Sequence, residues 1–156
     1  MNYSTAFHPQ WVAGFVDGEA CFQIDIVYRQ KAAFGVSIHP RFSIGHHLRS
    51  QNVIHAFPAF FGCGGVVHSK GMAFYKVNRL DDLIQSLIPF FQKYPLHTAK
   101  QEDFLLFHAL CLDLRKNTHS TQEGLVRMIT QAYSIPSARH ARSLESVVYR
   151  IRTWKK

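Results

Sequence analysis

Asp17 and Glu19 stand two residues apart at the end of the run WVAGFVDGEA (11–20), behind Gly14 and Gly18, which are spaced four apart. The chain holds ten Asp and Glu against eighteen Lys and Arg, so two carboxylates at one place need a reason. If the run is a helix, Gly14 and Gly18 share a face, and a face without side chains lets a second helix approach very closely. Asp17 and Glu19 then point in different directions and serve different ends. Glu19 falls at the helix C-terminus, where backbone carbonyls lack intrahelical partners. A carboxylate beside such carbonyls, with Gly18 next to it, suits a hard divalent cation such as Mg²⁺.

Other metal chemistry is poorly supported. The pair His46–His47 has no partner at helical ligand spacing and no H-E-x-x-H occurs, so the ten histidines read as scattered over surface and polar faces. Cys21, Cys63 and Cys111 are odd in number, far apart and without a C-x-x-C pair. They are expected to be reduced and mostly buried rather than part of a disulfide frame or a zinc ribbon. The net charge of +8 and pI near 9.7 favour a polyanionic partner. An anionic membrane surface would also fit the charge, but no basic amphipathic helix stands out, and no run approaches eighteen consecutive apolar residues. Nucleic acid is therefore the expected partner, and no membrane. The start MNYSTAFHPQW lacks the basic and apolar regions of a secretory signal, so the protein is expected to act in the compartment of its synthesis and not to be secreted.

A length of 156 residues, 47% of them apolar, predicts one domain over 1–156 with a sizeable core. Residues 9–18 read as a helix, with Pro9 in its first turn and His8 or Thr5 at its start. CFQIDIVYR and GVSIHPRFSIG then alternate with period two. Phe22, Ile24, Ile26, Tyr28, Val36, Ile38, Phe42 and Ile44 fall on apolar faces, and Gln23, Asp25, Arg29, Ser37, His39, Arg41 and Ser43 on polar ones. A second helix is predicted over 48–61, bent or interrupted at Pro58 and closed by the glycines at 62–65. VVHSKGMAFYKVN predicts a hairpin turning at Lys70–Gly71. With Val67 and Tyr75 facing the core, His68, Lys70, Phe74, Lys76 and Asn78 face out. Helices follow over 79–91, over 98–116 with Thr98 as N-cap, and after Ser120–Glu123 as a capping box. The tail over 139–156 is basic and partly helical. The order α-β-β-α-β-β-α plus C-terminal helices predicts an α+β fold. In it a twisted antiparallel four-stranded sheet is backed by helices, and its donor-rich face is left to read base edges in a DNA groove.

The stretch VAGFVDGEA resembles, residue for residue in order, the LAGLIDADG motif of the homing endonucleases, and GCGGVV, YKV and LIPFFQKYPLHTAKQEDFLLF are similar to later segments of that family. The resemblance implies the αββαββα homing-endonuclease fold and a single-motif chain that acts as a homodimer. The motif helices would pack through Ala13, Gly14 and Gly18. One Glu19 from each subunit would hold Mg²⁺ at the scissile phosphates across the minor groove, with Ca²⁺ or Mn²⁺ as substitutes. The product would be short 3′ overhangs in a long pseudo-palindromic duplex. Asp17 is implied to be structural. His46 stands where the family often has a water-organising glutamine, and Lys100, or alternatively His97, where it has a basic residue near the active site. The implied setting is an intron-encoded enzyme of a chloroplast, a mitochondrion or a bacterial cytoplasm. Two other functions share the fold: an intron RNA maturase and a non-cleaving DNA-binding regulator.

Overall fold

The computed structural model describes residues 7–155. Helix α1 (Pro9–Glu19) starts on Pro9, whose missing N–H is no loss in a first turn. His8 is the N-cap residue and makes no side-chain cap bond; Thr5, the other expected start, lies outside the described residues. The helix ends without a loop. Ala20 turns extended, its N–H still donating to the Val16 carbonyl, and begins strand β1 (Ala20–Tyr28). Strand β2 (Val36–His47) alternates burial along its length, with Val36, Ile38, Phe42 and Ile44 all buried.

A 3₁₀ turn (Leu48–Ser50) leads into α2 (Gln51–Phe61), which runs through Pro58 without a break and ends at Gly62 with φ +70°. The expected interruption at Pro58 does not occur. Proline so near the helix end removes one bond, and the helix has only one more turn to make. Strands β3 (Gly65–Ser69) and β4 (Met72–Val77) form the hairpin expected at Lys70–Gly71. Both turn residues have positive φ, 49° and 78°, the requirement of a two-residue turn whose twist matches its strands.

Next comes a helical run of α3 (Leu80–Asp82), a π turn (Leu83–Leu87) and α4 (Ile88–Lys93). The wider turn falls where Pro89 cannot donate an N–H to the regular ladder. Helices α5 (Lys100–Arg115), α6 (Gln122–Tyr133) and α7 (Leu144–Thr153) complete the chain. Thr98 accepts from the Lys100 N–H at the start of α5. At α6 the cap is Thr121, accepting from Gly124, and not the expected Ser120. Gly124 explains the shift, because a Cβ there would lie 1.9 Å from the Thr118 carbonyl oxygen, so the helix can begin only with glycine at that place.

The four strands make one antiparallel sheet in the order β1-β2-β4-β3. The chain divides into two compact units. One runs to Cys21 and resumes over Arg41–Gln101; the other comprises Phe22–Pro40 and the residues from Glu102 on. The core of the first is aromatic: Phe42, Phe57, Phe61, Tyr75 and Phe91 meet at centroid distances of 5.6–6.4 Å. Tyr75 donates from its buried hydroxyl to the Cys63 carbonyl (3.0 Å), tying the glycine-rich loop to the sheet. In the second unit Phe22 packs on Phe104 and Phe107 of α5. Asp103, buried on the same helix, accepts from the Ser137 hydroxyl. Of the three free thiols only Cys111 is buried; Cys21 and Cys63 are half-buried. Burial pushes the Cys111 thiol up to about 12.

Candidate functional site

Glu19 is the last residue of α1 and is exposed. Because the helix passes directly into β1, its position is set by two regular elements and by no flexible loop. Lys100, at the first turn of α5, reaches back to the same place and donates through Nζ to the Ala20 carbonyl, one residue beyond Glu19. A lysine in a helix's first turn opposes the helix dipole; here it is half-buried and engaged at the end of another helix instead. His97 goes elsewhere. Its side chain is exposed, and the residue lines a cleft of about 260 Å³ with Gln10, Ala13, Gly14, Lys93, Tyr94 and Pro95.

Asp17 works inward. One carboxylate oxygen accepts from the His97 N–H (2.8 Å) and the Thr98 N–H (3.1 Å), and the other from the Thr98 hydroxyl (2.6 Å). Partial burial raises its pKa, but the Thr98 hydroxyl, the two backbone N–H groups and the nearby His97 charge outweigh this and hold the carboxyl below its ordinary value. Asp17 thus ties α1 to the segment that introduces Lys100. The two acids of the motif divide their duties: one is saturated with donors, the other is open to solvent.

His46 lies on the helix-covered side of β2, opposite Ala73 of β4. Its ring stacks on Phe15 of α1 at 6.0 Å. The Nδ1 atom is buried and makes no hydrogen bond, which favours the tautomer with the proton on Nε2. Among the described residues no group of three or more His, Cys, Asp or Glu could hold a metal ion. What one chain offers is a single exposed carboxylate and the carbonyl end of α1 at Gly18 and Glu19. These oxygen donors fit a hard cation that keeps several waters or takes phosphate oxygens.

On the other side of α1 a stripe is open. Gly14 and Gly18 are exposed, and a Cβ at either would meet nothing within 4 Å. Trp11 flanks them with 45% of its surface exposed, stacked between Phe7 and Phe15. Ala13 is buried at the edge of this stripe. Nothing among the described residues requires these glycines to lack side chains.

The registers decide which side chains share the open face of the sheet. In the first unit Ser43 pairs with Lys76, Gly45 with Phe74, and Val67 with Phe74. Ser43, Lys76 and Arg41 therefore share this face, with Val67 (45% exposed) and Phe74 among them. Phe74 lies flat over Gly45, where a Cβ would come within 2.5 Å of its ring, and the Lys76 ammonium sits 5.5 Å from that ring's centroid. Lys70 is exposed at the hairpin tip. The expected face of His68 is overturned. His68 pairs with Ala73 and Val66 with Tyr75, so His68 sits on the helix side and meets His55 of α2. Val67 takes the outward place, because the two-residue turn puts Val66, and not Val67, opposite Tyr75.

In the second unit Gln23 and Asp25 occupy the less buried positions of β1. Ser37 and His39 bond each other along β2 (3.0 Å). Arg29 is exposed just past β1, in a turn closed by its N–H donating to the Gly35 carbonyl. Gln23 and Asp25 line a cleft of about 300 Å³ with Arg139, His140 and Arg142. The segment 139–142 was placed in the basic tail by its sequence, and its position beside β1 was not. That position rests on stacking: the Arg142 and Arg150 guanidiniums lie 4.2 and 4.3 Å from the Tyr28 ring centroid, and Arg150 also covers Trp154. Tyr28 lies more than a hundred positions before Arg142 and Arg150, so no local pattern of the sequence carries this contact.

The profile of the LAGLIDADG endonuclease family matches residues 12–111. Among curated relatives, the probable intron-encoded endonuclease 2 of Neurospora crassa is 30% identical over 128 residues; the match takes in 81% of this chain but only 27% of that longer protein. Among solved structures, the homing endonuclease I-TnaI superposes with a TM-score of 0.87 at 32% identity, covering 94% of this chain and 99% of that one. I-SmaMI bound to uncleaved DNA in the presence of calcium ions gives a TM-score of 0.84 at 26% identity, over 90% of this chain and 48% of its own.

Proposed function

The chain belongs to the LAGLIDADG endonuclease family, and from that premise we propose that two copies of it form a site-specific DNA endonuclease that cuts both strands of a long, roughly palindromic duplex. The observation that carries this reading is the pairing of an exposed Glu19 at the end of α1 with a glycine stripe that none of the described residues covers. Two α1 helices packed through Gly14 and Gly18, with Ala13 at the edge, place two Glu19 carboxylates side by side at the pseudo-dyad, one for each strand. A neighbour about twice as long, on DNA, supports the reading that one copy makes half of the machine.

Glu19 of each copy, with the carbonyl end of α1 at Gly18, holds the divalent cation, Mg²⁺ in this reading and replaceable by Mn²⁺, with Ca²⁺ supporting binding alone. When bound, that ion supplies Lewis-acid stabilisation of phosphate and an acidified water. The chain's own side chains do the rest. Lys100, anchored on the Ala20 carbonyl, adds positive charge where charge grows on the phosphate. His46, pinned under Phe15 with Nδ1 shut away, offers Nε2–H to orient water. Arg41, Ser43, Lys70 and Lys76, with Gln23, Asp25, Arg29, Ser37 and His39, meet the DNA groove, and Arg139 and Arg142 join them at the backbone. Strand scission across the minor groove leaves short 3′ overhangs.

The test is cleavage of a pool of pseudo-palindromic duplexes by wild type and Glu19→Gln, in Mg²⁺ and in Ca²⁺. Wild type should bind in both ions and cut only in Mg²⁺. Glu19→Gln should bind equally and lose cleavage by on the order of 10²–10³-fold or more, the scale of losing one preorganised electrostatic group. Tight duplex binding without cuts by wild type would make the protein a regulator. Preference for structured intron RNA over every duplex would make it a maturase.

A further inference from the structure

His55 and His68 take no part in the cleavage described above. His55 is exposed on α2, and His68 is exposed on β3 at the edge of the sheet. Their Nε2 atoms face each other at 3.2 Å, with ring centroids 5.1 Å apart and planes inclined by 33°. Two imidazole nitrogens do not stand this close as bare lone pairs. In the protein alone one ring donates from Nε2 and the other accepts there. The same separation is also an edge of a tetrahedral coordination shell: two imidazole nitrogens about 2.0–2.1 Å from one Zn²⁺ stand about 3.3 Å apart. A shift of tautomer, with both protons on Nδ1, turns the hydrogen-bonded pair into a chelate without moving either element.

We propose that His55 and His68 form a two-imidazole site for a borderline-soft divalent ion of the zinc class, with water completing its coordination. Imidazole suits Zn²⁺, Ni²⁺ and Cu²⁺ and discriminates against Mg²⁺, so this site and the oxygen donors at Glu19 select different ions. The two ligands come from different elements. An ion held there staples the edge strand β3 to α2, and with it the β3–β4 hairpin that carries Lys70 and Lys76. Ala73, opposite His68, adds no bulk beneath the pair. An edge strand with one unpaired row of backbone groups gains most from such a tie.

The full chain, stripped with chelator and kept in Mg²⁺, is titrated calorimetrically with ZnCl₂ as wild type, His55→Gln, His68→Gln and the double variant. Both positions are exposed, so the fold should survive, and melts without Zn²⁺ check this. Wild type should take up one saturable equivalent. Each single variant should bind at least tenfold more weakly, and the double variant should be no weaker than either single, because one imidazole alone cannot chelate. Hydrogen exchange gives the second reading: Zn²⁺ should slow amide exchange in β3 of wild type and leave all three variants unchanged. Equal Zn²⁺ affinity in the four proteins would put the ion on other histidines and overturn the assignment. Absence of saturable uptake by wild type would overturn it too, leaving only a shared proton.

Discussion

At Asp17 and Glu19 two carboxylates of the same motif have become different chemical objects. Asp17 accepts from two backbone N–H groups and a hydroxyl, so its negative charge is part of how α1 is joined to the start of α5. Replacing it by Asn exchanges one acceptor oxygen for a donor that would face those same N–H groups. The expected cost is about 1–2 kcal/mol, below the upper range for bonds to a charged group because the site is partly solvated; chemical denaturation at neutral pH measures it. The pH dependence has a definite sign. A carboxyl held below its ordinary value when folded contributes stability above the unfolded pKa and loses it as pH falls through the folded one. The difference in stability between wild type and Asp17→Asn should therefore be full at neutral pH and shrink as pH falls below about 4. A difference that persists at pH 2 would mean the Asn variant suffers from packing, not from charge.

Among elements, the β3–β4 hairpin shows most directly how sequence becomes geometry. Lys70 and Gly71 both take positive φ, and only the glycine does so without steric cost. Gly71→Ala should destabilise the protein by about 1 kcal/mol, read as a lowered melting temperature with an unchanged sheet spectrum. The turn's position was legible from the Lys-Gly dipeptide between two alternating runs, and so were the order of the elements, the apolar face of β2 and the end of α2 at Gly62. The facing of β3 was not legible. Val66 and Val67 are equally apolar, and a one-residue choice between them sends every side chain of the strand to the opposite face. His68 followed that choice. The α6 cap was misplaced for a related reason: Ser120 and Thr121 are both good caps, and only the contact of Gly124 with the Thr118 carbonyl chooses between them. At the candidate site, Glu19 at the end of α1 was readable from the motif, whereas Lys100 came only from the resemblance to the family and stood open against His97. The burial of the His46 Nδ1 and the stacking of Arg142 and Arg150 on Tyr28 depend on residues more than thirty or a hundred positions away, which no local pattern carries.

For the whole molecule, the open stripe on α1 makes a prediction whose two halves have opposite sign. Gly14→Leu adds a side chain where none of the described residues would lie within 4 Å of its Cβ, and glycine is the poorer helix former by up to about 1 kcal/mol. Urea unfolding under dilute, monomeric conditions should show the variant as stable as wild type or more so. Sedimentation at higher concentration should show association lost, and with it DNA cleavage. A variant that unfolds more easily while still dimerising would remove the stripe from the interface. The same stripe has a spectroscopic side. The chain has two tryptophans, and they sit in unlike surroundings. Trp154 lies under the Arg150 guanidinium, while Trp11 borders the glycines with nearly half its surface in water. Covering α1 with a second copy would dry one indole and leave the other as it was, so assembly should register as a blue shift in the emission of Trp11 alone, an intrinsic optical gauge of the proposed dimer.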